Sequence, residues 1–512
     1  MLRPCCDWKT HCLSLLVVVA GPAIAAADVV LPALFSDHMV LQAGKNVAVW
    51  GTAEANEAVT VTIGTQSAET QATADGKWRA TLKDLAAGGP RTMVVRGRNT
   101  ITINDVLVGE VWLGSGQSNM AMAVRSTQNA EQEMAAADLP NIRMFTVTSK
   151  AAQQPADDCT GSWVVCDRKS VGAFSATAFY FGRELHAQLK VPVGLINSSV
   201  GGTPIESWID AEAQRATPEL TAGFTADRAA EANFDLAAAV RRYETELQAW
   251  QAAAKAARAA GDTVPRKPID PRVVRERKGN VGGLFNGKIH PLIPYTLRGV
   301  IWYQGEANSA PDKAPLYGRQ LELLITDWRR RWGDELPFAW VQLPNYLGSQ
   351  RAWPIVREQM LQTLRVPKTG MAITIDIGAE RDIHPKNKQD VGKRLATWAL
   401  ATVYERDMIA SGPLPHNNVM TEGNALVVTF DHAQGLRARE GELVGFELAG
   451  NDGEWLPAKA RVDGTRVIVS HAKLAEPVSV RYAWANYPTC NLINEAGFPA
   501  TPFRFERHSS SK

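Results

Sequence analysis

The amino-acid sequence predicts an α/β protein in which a doubly wound parallel sheet with a helical insertion is flanked by two β-sandwiches. Three observations predict it: β-rich runs with turn residues open and close the chain, strands alternate with helices in the middle, and one alanine-rich segment interrupts the middle. A chain of 512 residues is long enough for two or three cores. The predicted divisions are 28–105, 106–410 with an insertion at about 211–279, and 411–512.

The first 27 residues are typical of a secretory signal. Arg3 and Lys9 precede a short apolar run at 13–20, and the small residues Ala23 and Ala25 suit a signal peptidase. The run is too short to span a bilayer, and no later segment of the sequence is long and apolar enough to do so. We therefore expect a secreted or periplasmic protein without a membrane span.

The cysteines predict one possible disulfide, and the net charge indicates which classes of binding partner are not expected. Export permits a disulfide, and we expect Cys159 and Cys166 to close a small loop around Trp163, with Cys490 as a buried apolar side chain. The formal net charge of +2 argues against a dedicated nucleic-acid or anionic-membrane partner. The sequence does not indicate an oligomeric state.

Turn residues divide both ends of the chain into short strands, which predicts the two sandwiches. A role in binding polysaccharide and a scaffold role are both open for them. The predicted strands are 46–50, 58–63, 77–82 and 92–96 in the first sandwich, and 425–430, 446–449, 466–470 and 478–482 in the second.

The middle of the chain alternates strands with helices, as expected for a parallel sheet covered on both faces. The insertion carries apolar residues at spacings of four and three, which predicts a helical hairpin with a structural role. The predicted strands are 108–113, 142–147, 192–197, 299–303, 338–342 and 372–377, the helices are 176–189, 317–332, 355–364 and 387–404, and the insertion stripe is Leu236, Val240, Tyr243, Leu247 and Trp250.

Ser118 is the first candidate for a nucleophile. It follows the predicted strand 108–113 in the glycine-rich segment 114–120, so its hydroxyl is expected at the carboxyl edge of the sheet, where open α/β sheets bind ligands. A serine at such a junction is more often a helix N-cap. A nucleophile requires in addition a base, an acid and donors for an oxyanion.

His384 is the candidate base, because it lies in the loop that follows the predicted strand 372–377 at the same sheet edge. Asp382, two residues earlier, could orient its imidazole, and Asp376 on the predicted strand is the alternative acid. An Asp-x-His-Pro sequence is by itself also compatible with an Asx turn before a proline.

Two further strand ends supply candidate oxyanion donors. Gly201 and Gly202 follow the strand at 192–197 and allow a backbone N–H to approach a ligand closely. Gln304 and Asn308 follow the strand at 299–303 and offer side-chain amides. Four polar or glycine-rich loops are thus predicted to converge on one crevice, which is hard to explain by packing alone.

Other chemistries lack their sequence signals. The chain has no His-Glu-x-x-His motif, no paired zinc-type cysteines, and no Walker or dinucleotide glycine pattern after the first parallel strand. The segment around Ser118 also lacks the second glycine of an α/β-hydrolase elbow. No metal and no cofactor are expected.

These motifs together resemble the SGNH (GDSL-like) hydrolases, whose catalytic sheet is flavodoxin-like, and within them the sialate O-acetylesterase-like carbohydrate esterases. The resemblance covers nearly the whole mature chain. It is carried by the segments 116–120, 200–203, 284–287, 302–308, 382–385, 490–492 and 502–504.

The resemblance implies that Ser118 attacks an acetyl carbonyl, that His384 relays its proton, and that backbone N–H groups and a side-chain amide bind the oxyanion. The chain departs from the broader pattern by having Gln117 in place of aspartate, which is normal for the carbohydrate esterases. It also has Arg381 where the acid usually stands, three residues before the histidine. The choice between Asp382 and Asp376, and that between Gln304 and Asn308, therefore stay open.

The predicted function is that of a secreted serine esterase that removes O-acetyl groups from carbohydrate, either a plant polysaccharide such as xyloglucan or xylan, or sialic acid. The alternatives are a non-catalytic carbohydrate-binding protein and a lipase or thioesterase of the same superfamily. A lipase is disfavoured because the sequence shows no lid helix with a bulky apolar patch. Four aromatic residues that follow strand ends could stack on sugar rings or pack in the core: Trp208, Tyr303, Tyr346 and Trp353.

Overall fold

A computed structural model describes residues 28–265, 267–278, 280–348 and 351–506 of the chain. The predicted signal segment, 1–27, lies outside the described residues. Within them, no helix combines the length and apolar character that crossing a membrane requires.

Seven strands open the described chain, and the four strands predicted there coincide with four of them within a few residues. β2 and β5 form a separate antiparallel pair, while β3, β4, β6 and β7 form an antiparallel sheet to which β1 adds in parallel. Apolar residues of both sheets share one buried core. The strands are β1 (Val40–Gln42), β2 (Val47–Thr52), β3 (Ala58–Ile63), β4 (Gln66–Gln71), β5 (Lys77–Leu82), β6 (Gly88–Arg96) and β7 (Thr100–Gly116).

The parallel sheet of the middle region begins with the second half of β7. The predicted helices are present, with ends shifted by at most two residues. The remaining strands of this region are β8 (Leu139–Thr146), β9 (Trp163–Cys166), β10 (Val193–Ser199), β11 (Gly299–Tyr303), β12 (Phe338–Val341) and β13 (Thr369–Ala372). The helices are α1 (Ser118–Ala121), α2 (Ala130–Ala136), α3 (Ala176–Leu189), α4 (Ala211–Arg215), α5 (Pro218–Ala232), α6 (Leu236–Ala260), α7 (Pro271–Lys278), α8 (Tyr317–Trp332), α9 (Trp353–Thr363) and α10 (Lys388–Thr402).

The sheet order is β13-β12-β11-β7-β10-β8-β9, and all neighbours are parallel except β9, which pairs antiparallel with β8. Alternate residues of β7 face opposite sides: Val111 and Leu113 join the core that includes α8 and α9, whereas Trp112 joins the core that includes α3 and α10. Helices therefore cover both faces of the sheet, as the alternating pattern predicted.

β7 is shared between the two regions. Its first half pairs with β6, and its second half lies between β10 and β11, so one eleven-stranded sheet runs through both regions. The predicted division after residue 105 falls inside this strand. In register, Gly116 at the end of β7 stands opposite Ser199 of β10 and Tyr303 of β11. Three strands thus end side by side at one edge.

The C-terminal strands form two antiparallel sheets with a common core, in agreement with the predicted sandwich. One sheet has the order β14-β16-β21-β20 with β15 on β16, the other has the order β19-β18-β22-β24, and β17 pairs with β23. The strands are β14 (Leu414–Pro415), β15 (Met420–Glu422), β16 (Ala425–Asp431), β17 (Arg437–Ala438), β18 (Phe446–Ala449), β19 (Trp455–Pro457), β20 (Lys459–Asp463), β21 (Arg466–Ser470), β22 (Ser479–Tyr482), β23 (Leu492–Ile493) and β24 (Phe503–Glu506).

The insertion is helical, as predicted, and consists of α4 to α7. All five residues of the predicted stripe on α6 are half-buried, whereas most other residues of this helix are exposed. The helix contacts α7. The indole of Trp250 donates a hydrogen bond to the carbonyl of Pro265, in the segment that joins α6 to α7.

The predicted disulfide is absent, because Cys159 and Cys166 are both free thiols. Cys159 belongs to the core on one side of the parallel sheet, whereas Cys166 belongs to the core on the other side. The extended strand β9 separates them, so the two sulfurs cannot meet. Burial raises the pKa of each thiol to about 12. Cys490 is half-buried and packs against the cores.

Candidate active site

Ser118 and His384 are in contact at the carboxyl edge of the parallel sheet. Ser118 is the first residue of α1, two residues after the end of β7, and is half-buried. Its Oγ lies 2.8 Å from Nε2 of His384. The hydroxyl thus pairs with an imidazole and does not serve as a helix cap, and a serine in this pairing can be deprotonated as it attacks a carbonyl.

The end of β7 requires a glycine. Gly116 has a φ of +132°, and a Cβ at this position would overlap the carbonyl oxygen of Tyr303 on β11. The N–H of Gln117 donates a 2.9 Å hydrogen bond to that same oxygen. This close approach between two strand ends directs the chain out of the sheet and positions Ser118 at its edge.

Asp382 lies beside His384 in the loop before α10. One carboxylate oxygen accepts the backbone N–H of His384 at 2.9 Å and lies 3.9 Å from Nδ1 of its ring. The Asx turn that the sequence allowed is therefore present, and it brings the carboxylate near the imidazole. The distance to Nδ1 exceeds a hydrogen bond, although such contacts often shorten when substrate binds.

Asp376 occupies a different setting. β13 ends at Ala372, earlier than predicted, so Asp376 lies in the following loop and not on the strand. Its carboxylate is bound by Arg394 and Arg439, with distances between 2.6 and 3.0 Å. Burial alone would raise the pKa of Asp376, but the hydrogen bonds and charges of the two arginines hold it below its usual value. The geometry thus favours Asp382 as the orienting acid.

Ser118 and His384 line a pocket of about 530 Å³ together with Gly201 and Gly202. A Cβ on Gly201 would lie 3.4 Å from that of Ser118, so the glycine loop after β10 runs directly beside this serine. The absence of side chains at these two glycines leaves their main-chain N–H groups accessible to a ligand bound at Ser118, as an oxyanion hole requires.

The two candidate amides lie behind this pocket and do not line it. Gln304 and Asn308 are fully buried, and Nε2 of Gln304 donates to Oδ1 of Asn308 at 2.8 Å and to Oε1 of Gln117 at 3.2 Å. Nδ2 of Asn308 donates to Glu206 at 2.8 Å. Both amides therefore support the loops around the pocket. The expectation that one of them reaches an oxyanion finds no support in this arrangement.

A buried polar network holds the His384 loop against α1. Nδ2 of Asn119 donates to a Glu306 oxygen at 2.5 Å and to the carbonyl of Ile383 at 3.0 Å. Nζ of Lys388 donates to Oδ1 of Asn119 and to the carbonyl of Pro385, both at 2.7 Å. Burial lowers the pKa of Lys388 to about 7, and burial raises the pKa of Glu306. The carbonyls on both sides of His384 are thus anchored next to Ser118.

Arg351 and the insertion also line the pocket. Sequence analysis did not predict that either of them belongs to the site. Nη1 of Arg351 donates to the carbonyl of Glu306 at 2.7 Å, which places its guanidinium at the pocket wall. The pocket is also lined by Ile269, Val273 and Val274, from α7 and the segment before it. Ile269 and Val273 are about half exposed, so the insertion presents apolar groups near Ser118.

The aromatic residues considered for sugar stacking are mostly core residues. Trp208, Tyr303 and Trp353 are at most 1% exposed, so they cannot meet a sugar. Tyr346 is half-buried and packs against Trp353 with 5.4 Å between the ring centroids.

Comparison with known proteins identifies the family. The model of a carbohydrate esterase family described as sialic acid-specific acetylesterase matches residues 108–229 and 286–401. The sialate O-acetylesterase of Rattus norvegicus is 30% identical, over 96% of this chain and 97% of the rat protein. The chain belongs to this acetylesterase family. The predicted enzyme class, a carbohydrate O-acetylesterase, is thereby confirmed.

Two further members of the carbohydrate acetylesterases extend the comparison. The sialate O-acetylesterase of Homo sapiens is 29% identical over 91% of each chain. The crystal structure of a carbohydrate acetylesterase from Xanthomonas citri is similar with a TM-score of 0.78 and 34% identity, over 93% of this chain and 99% of that one. The α/β sheet with additional β-sheet domains is thus an architecture found in an acetylesterase. The family model leaves residues 230–285 unmatched, and these include most of the insertion.

Proposed function

We propose that this acetylesterase is an exported serine esterase with an SGNH catalytic arrangement, which removes O-acetyl groups from polysaccharide through an acetyl-enzyme on Ser118. The observation that carries the proposal is the 2.8 Å contact between Oγ of Ser118 and Nε2 of His384 in an open pocket. Family membership supplies the substrate class, an acetylated carbohydrate.

In the first half-reaction, Oγ of Ser118 attacks the acetyl carbonyl while His384 accepts its proton at Nε2. The developing oxyanion is stabilised by main-chain N–H groups of Ser118 and of the Gly201 and Gly202 loop. Asp382 stabilises the imidazolium. The sugar hydroxyl then leaves with the proton from His384, and the acetyl group remains on Ser118.

In the second half-reaction, His384 removes a proton from water as the water attacks the acetyl-enzyme. The second tetrahedral intermediate collapses to acetate and restores the Ser118 hydroxyl with the proton held by His384. These steps require one base and one oxyanion site, and both lie within the pocket that the four strand-end loops form.

Replacement of Ser118 tests the proposal. We expect Ser118→Ala to abolish acetate release from acetylated carbohydrate while the thermal unfolding midpoint stays unchanged, and we expect an active-site-directed fluorophosphonate to label wild type at Ser118. Ser199→Ala is a matched control, because Ser199 is half-buried at the end of the neighbouring strand β10. Full turnover by Ser118→Ala would refute the serine mechanism.

The substrate favoured here is an acetylated plant polysaccharide such as xyloglucan or xylan, in line with export. Arg351 favours sialic acid as a second candidate, because its guanidinium at the pocket wall could pair with the sugar carboxylate. Acetate release from acetylated xyloglucan, acetylated xylan and O-acetylated sialoglycans separates the two. If sialic acid is the substrate, Arg351→Met should lose activity on it far more than on a neutral acetyl ester.

Export rests on the sequence of residues 1–27. We expect the mature protein, isolated from the cells that produce it, to begin near residue 28 and to be found outside the cytoplasm. N-terminal sequencing of the protein from fractionated cells measures both. A cytoplasmic protein that retains residues 1–27 would contradict this part of the proposal.

A further inference from the structure

A second cavity adjoins the catalytic pocket beneath the insertion. It has a volume of about 510 Å³ and shares Ile269 and Val274 with the catalytic pocket. We call it the insertion cavity. Asp227, Phe234 and Pro271 line it from the insertion.

The side facing the insertion is formed by loops that also build the active site. Glu206 comes from the segment after the Gly201 and Gly202 loop, and Lys313 comes from the segment after β11. Nζ of Lys313 lies 3.2 Å from Asp227 and 3.4 Å from Glu206, so an ion pair in the lining of the cavity joins the insertion to the catalytic region. The insertion is therefore anchored to the active-site loops at this cavity.

The chemistry of the lining suits a saccharide. Phe234 is 46% exposed, although it is a large apolar side chain, and the guanidinium of Arg275 lies 5.4 Å from its ring centroid. An exposed aromatic ring with a few polar groups around it is a common way to bind a ligand with both apolar and hydroxyl faces. The carboxylate of Asp227 and the ammonium of Lys313 are each about one-third exposed and can hydrogen-bond sugar hydroxyls.

Substrate size decides which part of an ester enters this cavity. An acetyl group has only two carbons and needs space only beside Ser118. A second cavity that continues from the catalytic pocket therefore faces the alcohol part of the ester. In an enzyme of this family, that part is carbohydrate.

We propose that the insertion cavity is a subsite that binds the sugar unit next to the acetylated one, with Phe234 as its principal contact and with Ile269 and Val274 as the passage from the catalytic pocket. This inference rests on the proposed function and deepens it: the enzyme prefers acetylated oligosaccharides to acetylated monosaccharides. The insertion is then part of the substrate-binding machinery, and the structural role expected from its sequence is incomplete.

The test compares kcat/KM for acetylated xylotetraose, mono-O-acetylated xylose and 4-nitrophenyl acetate. We expect kcat/KM of the wild type to be at least tenfold higher for acetylated xylotetraose than for mono-O-acetylated xylose. Phe234→Ala should reduce this preference about tenfold, chiefly by raising KM, and Phe234→Tyr should retain it because the ring is kept. Met408→Ala, another exposed apolar residue that lines neither cavity, should leave the preference as in wild type.

Three outcomes would overturn the inference while the proposed function stands: wild type shows no preference for the tetrasaccharide, Phe234→Ala keeps the full preference, or Phe234→Ala lowers activity on 4-nitrophenyl octanoate more than on either sugar. The last outcome would assign the cavity to a long acyl chain. If neither sugar releases acetate while 4-nitrophenyl acetate is hydrolysed, xylan is refuted as the substrate and the inference, which is tested here on xylan, falls with it.

Discussion

Among single side chains, the two candidate acids show how a structure separates residues that a sequence cannot. Asp382 and Asp376 both precede His384 closely in the sequence. Their carboxylates meet different partners, a backbone N–H and an imidazole for Asp382, and two guanidinium groups for Asp376. The carboxylate of Asp382 can stabilise a protonated His384, whereas that of Asp376 fixes the loop after β13 through its two ion pairs.

Turnover measurements should separate the roles of these two residues. Asp382→Asn leaves His384 without a carboxylate to stabilise its imidazolium, so we expect kcat to fall by roughly a hundredfold or more. Asp376→Asn should change kcat by less than about fivefold, measured with the same acetyl ester. A collapse of kcat in Asp376→Asn at intact folding would reverse the assignment.

Asp376→Asn should instead affect stability, in a pH-dependent manner. Because the arginines hold the pKa of Asp376 below its ordinary value of 3.8, their ion pairs stabilise the folded state fully above that pH and lose this effect as the pH falls through the lowered pKa. We expect Asp376→Asn to lower the free energy of unfolding by about 3 kcal/mol at pH 7. Urea titrations at pH 7 and near pH 3 should show the difference between the proteins shrinking at the lower pH.

The buried residues of the site mark the limit of sequence reasoning for side chains. Ser118, His384 and Asp382 could be found because strand ends and motif spacing put them at one edge. Lys388 could not, since a lysine at the start of a helix is ordinarily solvated, and only the fold shows that it is fully buried against Asn119. For Gln304, the sequence indicates the correct loop, but whether its amide faces the pocket depends on packing.

For strands and helices, hydrophobic periodicity sufficed where it was strong. The helices predicted at 176–189 and 317–332 coincide with α3 and α8. It failed at β13, where the apolar run continues past the strand into a buried loop, so the predicted strand 372–377 starts three residues and ends five residues too late. Burial of the residues after Ala372 produces the same apolar pattern as a strand, and the difference lies only in the pairing with β12.

The junction of β7 and α1 is the most constrained piece of local structure in the site. Gly116→Ala would force a Cβ onto the carbonyl of Tyr303 in addition to a left-handed backbone. We expect a loss of about 2 to 5 kcal/mol in unfolding free energy and a loss of activity, because Ser118 must shift. Gly64→Ala is the matched control, since Gly64 also has a positive φ but no atom within 4 Å of an added Cβ, and it should cost about 1 kcal/mol. Equal losses in both variants would contradict the close-approach argument.

Over the chain as a whole, the order of regions could be predicted but their connections could not. Composition and turn spacing indicated a β-sandwich, then an α/β region, then a second β-sandwich. They did not show that β7 pairs with strands of both regions in one sheet, because a strand of 17 residues has no sequence signal at the point where its partners change. They also did not show that the insertion returns to the catalytic pocket, because contacts between distant segments depend on the packed fold.

One buried arginine is among the groups that join the C-terminal region to the active-site side of the sheet. Arg357 on α9 is fully buried and donates hydrogen bonds to the carbonyls of Leu343 and Pro344, after β12, and to those of Ala485 and Asn486, after β22. The same post-β12 segment reaches the His384 loop, because the N–H of Leu347 donates to the carbonyl of Glu380. A chain of hydrogen bonds therefore runs from the C-terminal sheets to the loop that carries His384.

Arg357→Met should weaken this connection, although the hydrogen bond from the N–H of Tyr346 to the carbonyl of Asn486 remains. Arg357 does not line the pocket around Ser118. Four carbonyls lose a charged donor, so we expect a loss of about 3 kcal/mol or more in unfolding free energy, together with a lower kcat, because the His384 loop is less firmly held. Arg365→Met, which removes an exposed ion pair with Glu322 and an exposed hydrogen bond to the carbonyl of Gln362, should cost less than about 1 kcal/mol and leave kcat unchanged. Chemical unfolding and acetate release measured on both variants test the connection. If Arg357→Met is destabilised but retains full kcat, the C-terminal sheets stabilise the fold without positioning His384.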